Sequence, residues 1–387
     1  MESNEFIPLL IIMLLAFLIP IVLTRFQGLG IPVVVGEIVV GILIGRSGLN
    51  LIAGHDPILE FLAEFGLVFL MFLAGLEIDF SNLGEIAAER SHQQARSWSP
   101  LSLGTLTFLL TLLLATGIGM ALANADLVRN PYMMALVLST TSLGVVVPVL
   151  KERGLSSGRF GQTVLMAALI ADFGTMLLIT VLVAVLSQGF TFEVLLVGLL
   201  FVAFFLLYQL GLFVNRISAI RRLVEELSHT SSQFRVRASF TVLMIFVVLS
   251  EMLGAEVILG AFLAGAIVAL LRPKEDPELA HKLEAIGFGF FIPLFFIRVG
   301  LDFNLAALAA SPTALQVAPL LILAAIVVKF IPALLFRLTF SWRETLAAGA
   351  LLSARLSLVI AASAVGLRLG VISEAVNAAF YWSLCSR

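Results

Sequence analysis

The stretches Gly36-Glu37-Ile38-Val39-Val40-Gly41 and Gly75-Leu76-Glu77-Ile78-Asp79-Phe80 return 224 and 225 residues later as Gly260-Ala261-Phe262-Leu263-Ala264-Gly265 and Gly300-Leu301-Asp302-Phe303. The spacing returns with them: Gly36 to Gly75 is 39 residues and Gly260 to Gly300 is 40. Each pair of motifs brackets apolar segments, so the repeated unit is a multi-helix half and not a single motif. An odd number of membrane crossings between the copies turns the second half over relative to the first, an architecture suited to alternating access.

Composition puts the repeat in a membrane. Of 387 residues 60% are hydrophobic and only 12% charged, whereas soluble domains carry about 25% charged residues. Apolar runs long enough to cross a hydrocarbon core of ~30 Å at ~1.5 Å per residue lie near 6–24, 59–78, 101–124, 131–150, 161–187, 190–214, 237–253, 283–301, 314–336 and 344–367. Runs 31–45 and 256–271 are shorter and count as crossings through the repeat. A last run, 371–384, reaches only about 21 Å as a helix. The expected fold is an all-α polytopic membrane protein of about thirteen transmembrane helices, the last short, in two inverted-topology repeats. The first repeat covers about 6–187, a linking helix 190–214 and loop 215–236 follow, and the second covers about 237–387 and is cut short. No soluble domain is expected, since the longest polar stretches, 79–100 and 215–236, read as loops.

Orientation follows from the basic residues. Alternate loops receive seventeen Lys and Arg on one side and three on the other, and three more, Arg298, Lys329 and Arg355, fall within apolar segments. The positive-inside rule then places the N-terminus outside and the C-terminus in the cytoplasm. Glu2 and Glu5 ahead of the first apolar run and Arg25 after it reverse the charge order of a secretory leader, so that run is expected to stay as a helix. A single cysteine, Cys385, excludes an intrachain disulfide and a cysteine-rich metal site. No lysine is followed by Ser or Thr, which removes the Gly-Lys-Ser/Thr phosphate loop of an ATP-driven pump. No cofactor is expected, and an ion gradient is the simplest energy source.

Few residues in the apolar segments can do chemistry. Asp172, in Leu169-Ile170-Ala171-Asp172-Phe173-Gly174-Thr175, stands about eleven residues, or roughly 16 Å, inside the sixth helix. A carboxylate there costs about 2.5–3.5 kcal/mol on insertion scales and serves as a reversible proton site or a cation ligand. Lys329 in the eleventh helix is too deep for easy solvation and is expected to pair with Asp172, so that an incoming cation competes with it. The fifth helix carries Ser139-Thr140-Thr141-Ser142 before Gly144 and Pro148. Such a run unwinds a helix and offers hydroxyl and carbonyl oxygens to an alkali cation. Its counterpart in the second copy is Ser353-Ala354-Arg355-Leu356-Ser357, where Ser353 and Arg355 are expected to support the crossing. Arg298 reads as snorkelling to the outer surface, and Gly41 and Gly45 as close helix packing. Gly154-Leu155-Ser156-Ser157-Gly158 matches a hydrolase nucleophile elbow by letter, but no strand precedes it.

Taken together, Val35-Gly36-Glu37 through Gly45, Phe72 to Glu77, Leu138 to Gly154, Leu259 to Gly265 and Val299-Gly300-Leu301 resemble the monovalent cation:proton antiporter-2 family, the Kef-type and NapA-like sodium or potassium/proton exchangers. The resemblance covers nearly the whole chain. It implies thirteen helices, a scaffold domain that often dimerises, and a core domain in which two unwound helices, the fifth and twelfth, cross. It makes Asp172 the shared cation and proton carrier. Two departures stand out: Ala171 replaces the Asp, Asn or Gln usual before the carrier, and Arg355 runs straight into Leu356-Ser357 where the family has Arg-Gly-Glu-Phe. The single carboxylate points to electroneutral one-for-one exchange.

The expected activity is secondary antiport of Na+ or K+ against H+ by alternating access, not enzymatic catalysis. Asp172 is the shared site, Thr140, Thr141 and Ser142 its neighbours and Lys329 its charge partner. The expected setting is the inner (plasma) membrane, as a multi-pass homodimer whose partners are Na+ or K+, H+ and lipid, with no nucleic acid. The rival reading is a non-transporting paralogue or sensor that keeps the fold, favoured by the missing Gly-Glu pair and the short last helix.

Overall fold

The computed structural model describes residues 6–25, 33–52, 56–77, 98–142, 146, 149–150, 153–155, 158–188, 193–216, 233–271, 278–303, 312–354, 362–363, 365–367 and 369–372. Among them every regular element is a helix. In chain order these are α1 (Ile7–Arg25), α2 (Val33–Ile44), α3 (Pro57–Leu76), α4 (Pro100–Asn124), α5 (Pro131–Ser139), α6 (Arg159–Gln188), α7 (Glu193–Arg216), α8 (Phe234–Met252), α9 (Val257–Leu271), α10 (Glu278–Leu301), α11 (Pro312–Ala333) and α12 (Trp342–Leu352). They fall in the order of the first twelve apolar runs. The thirteenth expected crossing, and most of the two long polar loops, lie outside the described residues.

Local chemistry sets the helix starts. Ser99 and Asn130 accept the N–H groups of Ser102 and Met133 and are each followed by proline, at Pro100 and Pro131, where the absent N–H costs nothing. Ser341 and Glu344 form a reciprocal capping box at the start of α12. Within α10 a π turn spans Gly287–Phe291, with the Ile292 N–H bonded to Gly287 O. Pro293 follows it; having no N–H to give to the preceding turn, it is passed through the extra residue of the π turn without breaking the helix.

The chain forms two compact units. One contains Met1–Leu76, Phe204–Val248 and Gly260–Ala310. Its core joins Ile12 and Ile19 of α1, Ile44, Leu59 of α3 and Leu294, Ile297 and Leu301 of α10. The opposite face of α1 leaves Leu10, Leu14, Phe17 and Ile21 exposed, as a lipid-facing helix requires. In this unit the repeat in sequence becomes a repeat in space. A Cβ on Gly300 would stand 2.7 Å from the Gly41 Cα, and one on Gly265 2.8 Å from the Leu76 N, with the Phe72 carbonyl closer still. Gly41 corresponds to Gly265 and Gly75 to Gly300, so α2 packs on α10 as α9 packs on α3. Glycine is required at these positions because backbone touches backbone. The expected packing role of Gly41 and Gly45 is met, Gly45 lying against Leu301.

The second unit contains Glu77–Ala203, Leu249–Leu259 and Ser311–Arg387. Its core brings Val164, Ala167 and Ala168 of α6 against Val146, Leu150, Phe336, Phe340, Ala348 and Leu352. Two of its helices are half-length. The nine residues of α5 and the eleven of α12 reach about 13 and 16 Å, close to half of a ~30 Å hydrocarbon core.

Candidate functional site

The two half-helices stop where their sequences change. After Ser139 the backbone turns extended at Thr140, with φ −58° and ψ 152°. After Leu352, Ser353 closes the last turn with its hydroxyl on the Ala350 carbonyl at 2.7 Å. Each C-terminus leaves carbonyls without a helical donor and carries partial negative charge. These ends meet. The Ser142 N–H donates to Ala354 O at 3.0 Å and the Thr141 hydroxyl to Leu352 O at 3.2 Å. The crossing expected of the fifth and twelfth helices is thus made by backbone and side-chain bonds between the two interruptions.

Lys329 reaches this crossing from α11 with 3% of its surface exposed. Its ammonium donates to the Ser139 carbonyl and to the Thr141 hydroxyl, both at 2.7 Å. A cation at the last carbonyl of α5 offsets the negative end of that helix, which is why a lysine is tolerated at this depth. The hydroxyls divide. Ser139 and Thr140 donate back to Ala135 and Val137 of their own helix at 2.7 and 2.9 Å. Thr141 faces outward to α11 and α12, and Ser142 is buried with its backbone engaged.

Asp172 lies at the fourteenth position of the thirty-residue α6 and is 5% exposed. The helix packs against both α5 and α12, and Ala168, one turn before Asp172, belongs to the same cluster as Leu352 and Val146. The structure therefore gathers Asp172, Thr140, Thr141, Ser142, Lys329 and Ser353 into one unit. Arg355 lies outside the described residues, as does the position of the missing Gly-Glu pair. Arg298, read from sequence as snorkelling, instead forms an ion pair with Asp302 at 2.8 Å and is 14% exposed. The sequence reading passed over Glu37, which is 4% exposed within α2. Its signal was present: the repeat pairs Glu37 with Ala261, so the acid is a departure inside a matched motif.

The family model described as "Sodium/hydrogen exchanger, transmembrane" matches residues 13–385. The chain belongs to the sodium/hydrogen exchanger family. Among relatives, the Bacillus subtilis protein named "Putative Na(+)/H(+) antiporter YjbQ" is 41% identical over 98% of this chain, which spans 61% of that protein's length. The Methanocaldococcus jannaschii "Probable Na(+)/H(+) antiporter 3" is 29% identical over 97% of this chain and 92% of its own. The solved sodium proton antiporter MjNhaP1 of the same organism superposes with a TM-score of 0.61 at 15% identity, over 99% of this chain and 93% of that one. The sodium/hydrogen exchanger chain thus has the antiporter fold, all-helical with crossed, interrupted helices. One expectation is corrected. The narrower Kef-type branch read from the motifs is not supported: the matching family model is that of sodium/hydrogen exchangers at large. As a member of the sodium/hydrogen exchanger family with several apolar helices, the chain is a multi-pass membrane protein.

Proposed function

We propose that the protein is a secondary antiporter that exchanges Na+ for H+ by alternating access, with Asp172 as the shared site. One observation carries this reading: two half-helices end against each other, and the helix bearing a buried carboxylate packs on both. Carbonyl ends of half-helices are cation-seeking, and a carboxylate between them takes either a proton or a metal ion. The names of the relatives favour Na+ over K+. Lys329 competes with the incoming cation for Asp172, and Ser142 and the neighbouring carbonyls supply further oxygens. An empty, charged Asp172 resists crossing the apolar core, so the site moves between faces only when loaded. With one carboxylate the exchange is one-for-one and electroneutral. The N-terminus faces outside and the C-terminus the cytoplasm, and the protein works as a homodimer in the plasma membrane.

The test is proton release. Adding Na+ to purified protein in weak buffer should acidify the medium, and Asp172→Asn should abolish the response while the protein stays folded. Undiminished release from Asp172→Asn removes the proposed carrier. No release from wild type removes the antiporter reading.

A further inference from the structure

The hydroxyl run offers several oxygens to a cation, but the hydrogen bonds do not treat them alike. A threonine hydroxyl has one proton and two lone pairs. The Thr141 proton lies on the Leu352 carbonyl at 3.2 Å, and one lone pair takes the Lys329 ammonium at 2.7 Å. A metal ion on the remaining lone pair would share an oxygen with an ammonium, placing like charges a few ångströms apart where little water screens them. The residue is 1% exposed and joins the extended stretch after α5 to α11 through Lys329 and to α12 through Leu352.

We propose that Thr141 is a positioning residue: its hydroxyl straps the Lys329 ammonium to the end of α12, holding the two helix interruptions in register while the transported cation binds other oxygens. The strap has two anchors, one on the last residue of α5 and one just past it. The Ser139 carbonyl receives the same ammonium at 2.7 Å, so Lys329 grips the last turn of α5 and the first extended residues after it at once. Loss of the hydroxyl frees Leu352 O and removes one of these acceptors, but it removes no ligand from the cation. The transport consequence rests on the antiporter reading above. The strap itself can be measured without transport.

The decisive experiment is a double-mutant cycle on the purified full chain, read by thermal unfolding in detergent, with Na+-driven pH change in proteoliposomes beside it. Thr141→Ser keeps the hydroxyl and should melt and exchange like wild type. Thr141→Val should melt lower, and in a Lys329→Met background the same change should lower the midpoint by less than half as much, because the strap is already open. In liposomes Thr141→Val should reduce the maximal rate roughly ten-fold while KM for Na+ stays within about two-fold. A raised KM at an unchanged maximal rate makes Thr141 a direct ligand and overturns the proposal. Additive melting losses across the cycle, or a valine variant indistinguishable from wild type, overturn it as well. If valine prevents recovery of protein, Thr141→Ala takes its place in the same cycle. A wild type that exchanges nothing sinks the antiporter reading and leaves the melting cycle to decide the strap.

Discussion

The backbone N–H of Ser142 donates to the carbonyl of Ala354 at 3.0 Å, so the extended stretch after α5 is bonded directly to the one after α12. Because this bond is backbone to backbone, side-chain deletion and backbone deletion at one position separate two roles. Ser142→Ala keeps the bond and removes only a hydroxyl, and is expected to raise KM for Na+ with little loss of stability. Ser142→Pro removes the N–H and leaves Ala354 O without this donor. That variant is expected to lose about 1 kcal/mol of stability and most of its exchange. Thermal unfolding beside proteoliposome flux checks both, and equal behaviour of the two variants would mean that the backbone bond does not matter.

The paired glycines of the first unit make a second prediction. Methyl groups at Gly300 or Gly265 enter space already held by the backbone of α2 or α3, and overpacking of this kind costs about 1–3 kcal/mol. Gly300→Ala and Gly265→Ala should therefore lower the unfolding midpoint by similar amounts, since they occupy equivalent contacts of the repeat. Gly117 in α4 has nothing within 4 Å of its would-be Cβ. Gly117→Ala should raise stability by about 0.5–1 kcal/mol. A neutral Gly300→Ala would show that α2 and α10 do not hold this close contact.

These contacts also mark what the sequence made legible. The short helices α2 and α9, twelve and fifteen residues long, were recognisable because a glycine pattern recurs at fixed spacing, whereas hydropathy alone undercounts them. The break after Ser139 was legible because a run of four hydroxyls followed by a glycine and a proline loosens a helix in an apolar segment. The direction of each hydroxyl was not, since Ser139, Thr140 and Thr141 look alike in sequence and differ only through which carbonyl lies within reach. Lys329 was found as a buried cation, but its bonds to Ser139 and Thr141 depend on a helix end that exists only after packing. The Arg298–Asp302 pair was within reach of sequence reasoning, because residues four apart on a helix face each other.

Lys329 itself gives a third prediction. Its ammonium bonds a carbonyl at a helix C-terminus and a buried hydroxyl, and charged hydrogen bonds of this kind are worth about 1.5–3 kcal/mol each. Lys329→Met keeps the length of the side chain and its apolar packing while leaving the Ser139 carbonyl without that donor. The expected result is a loss of about 2–3 kcal/mol, with the rate of Na+-dependent proton release reduced in the same variant. A methionine variant as stable as wild type would assign Lys329 no structural part in the crossing and confine it to the transport cycle.

Glu37 supports the fourth prediction, in the other unit. It is 4% exposed, while the matched position in the second copy, Ala261, is fully buried and apolar. Burying an ionisable acid in an apolar helix costs folding free energy, and a neutral side chain of the same shape recovers part of that cost. Glu37→Gln should therefore raise the unfolding midpoint, by the equivalent of about 1–2 kcal/mol. Exchange should be unchanged, because the acid lies in a different compact unit from Asp172 and the helix crossing. A Gln variant that loses exchange at full stability would give Glu37 a place in the transport cycle and would mean that the first unit does more than hold the repeat together.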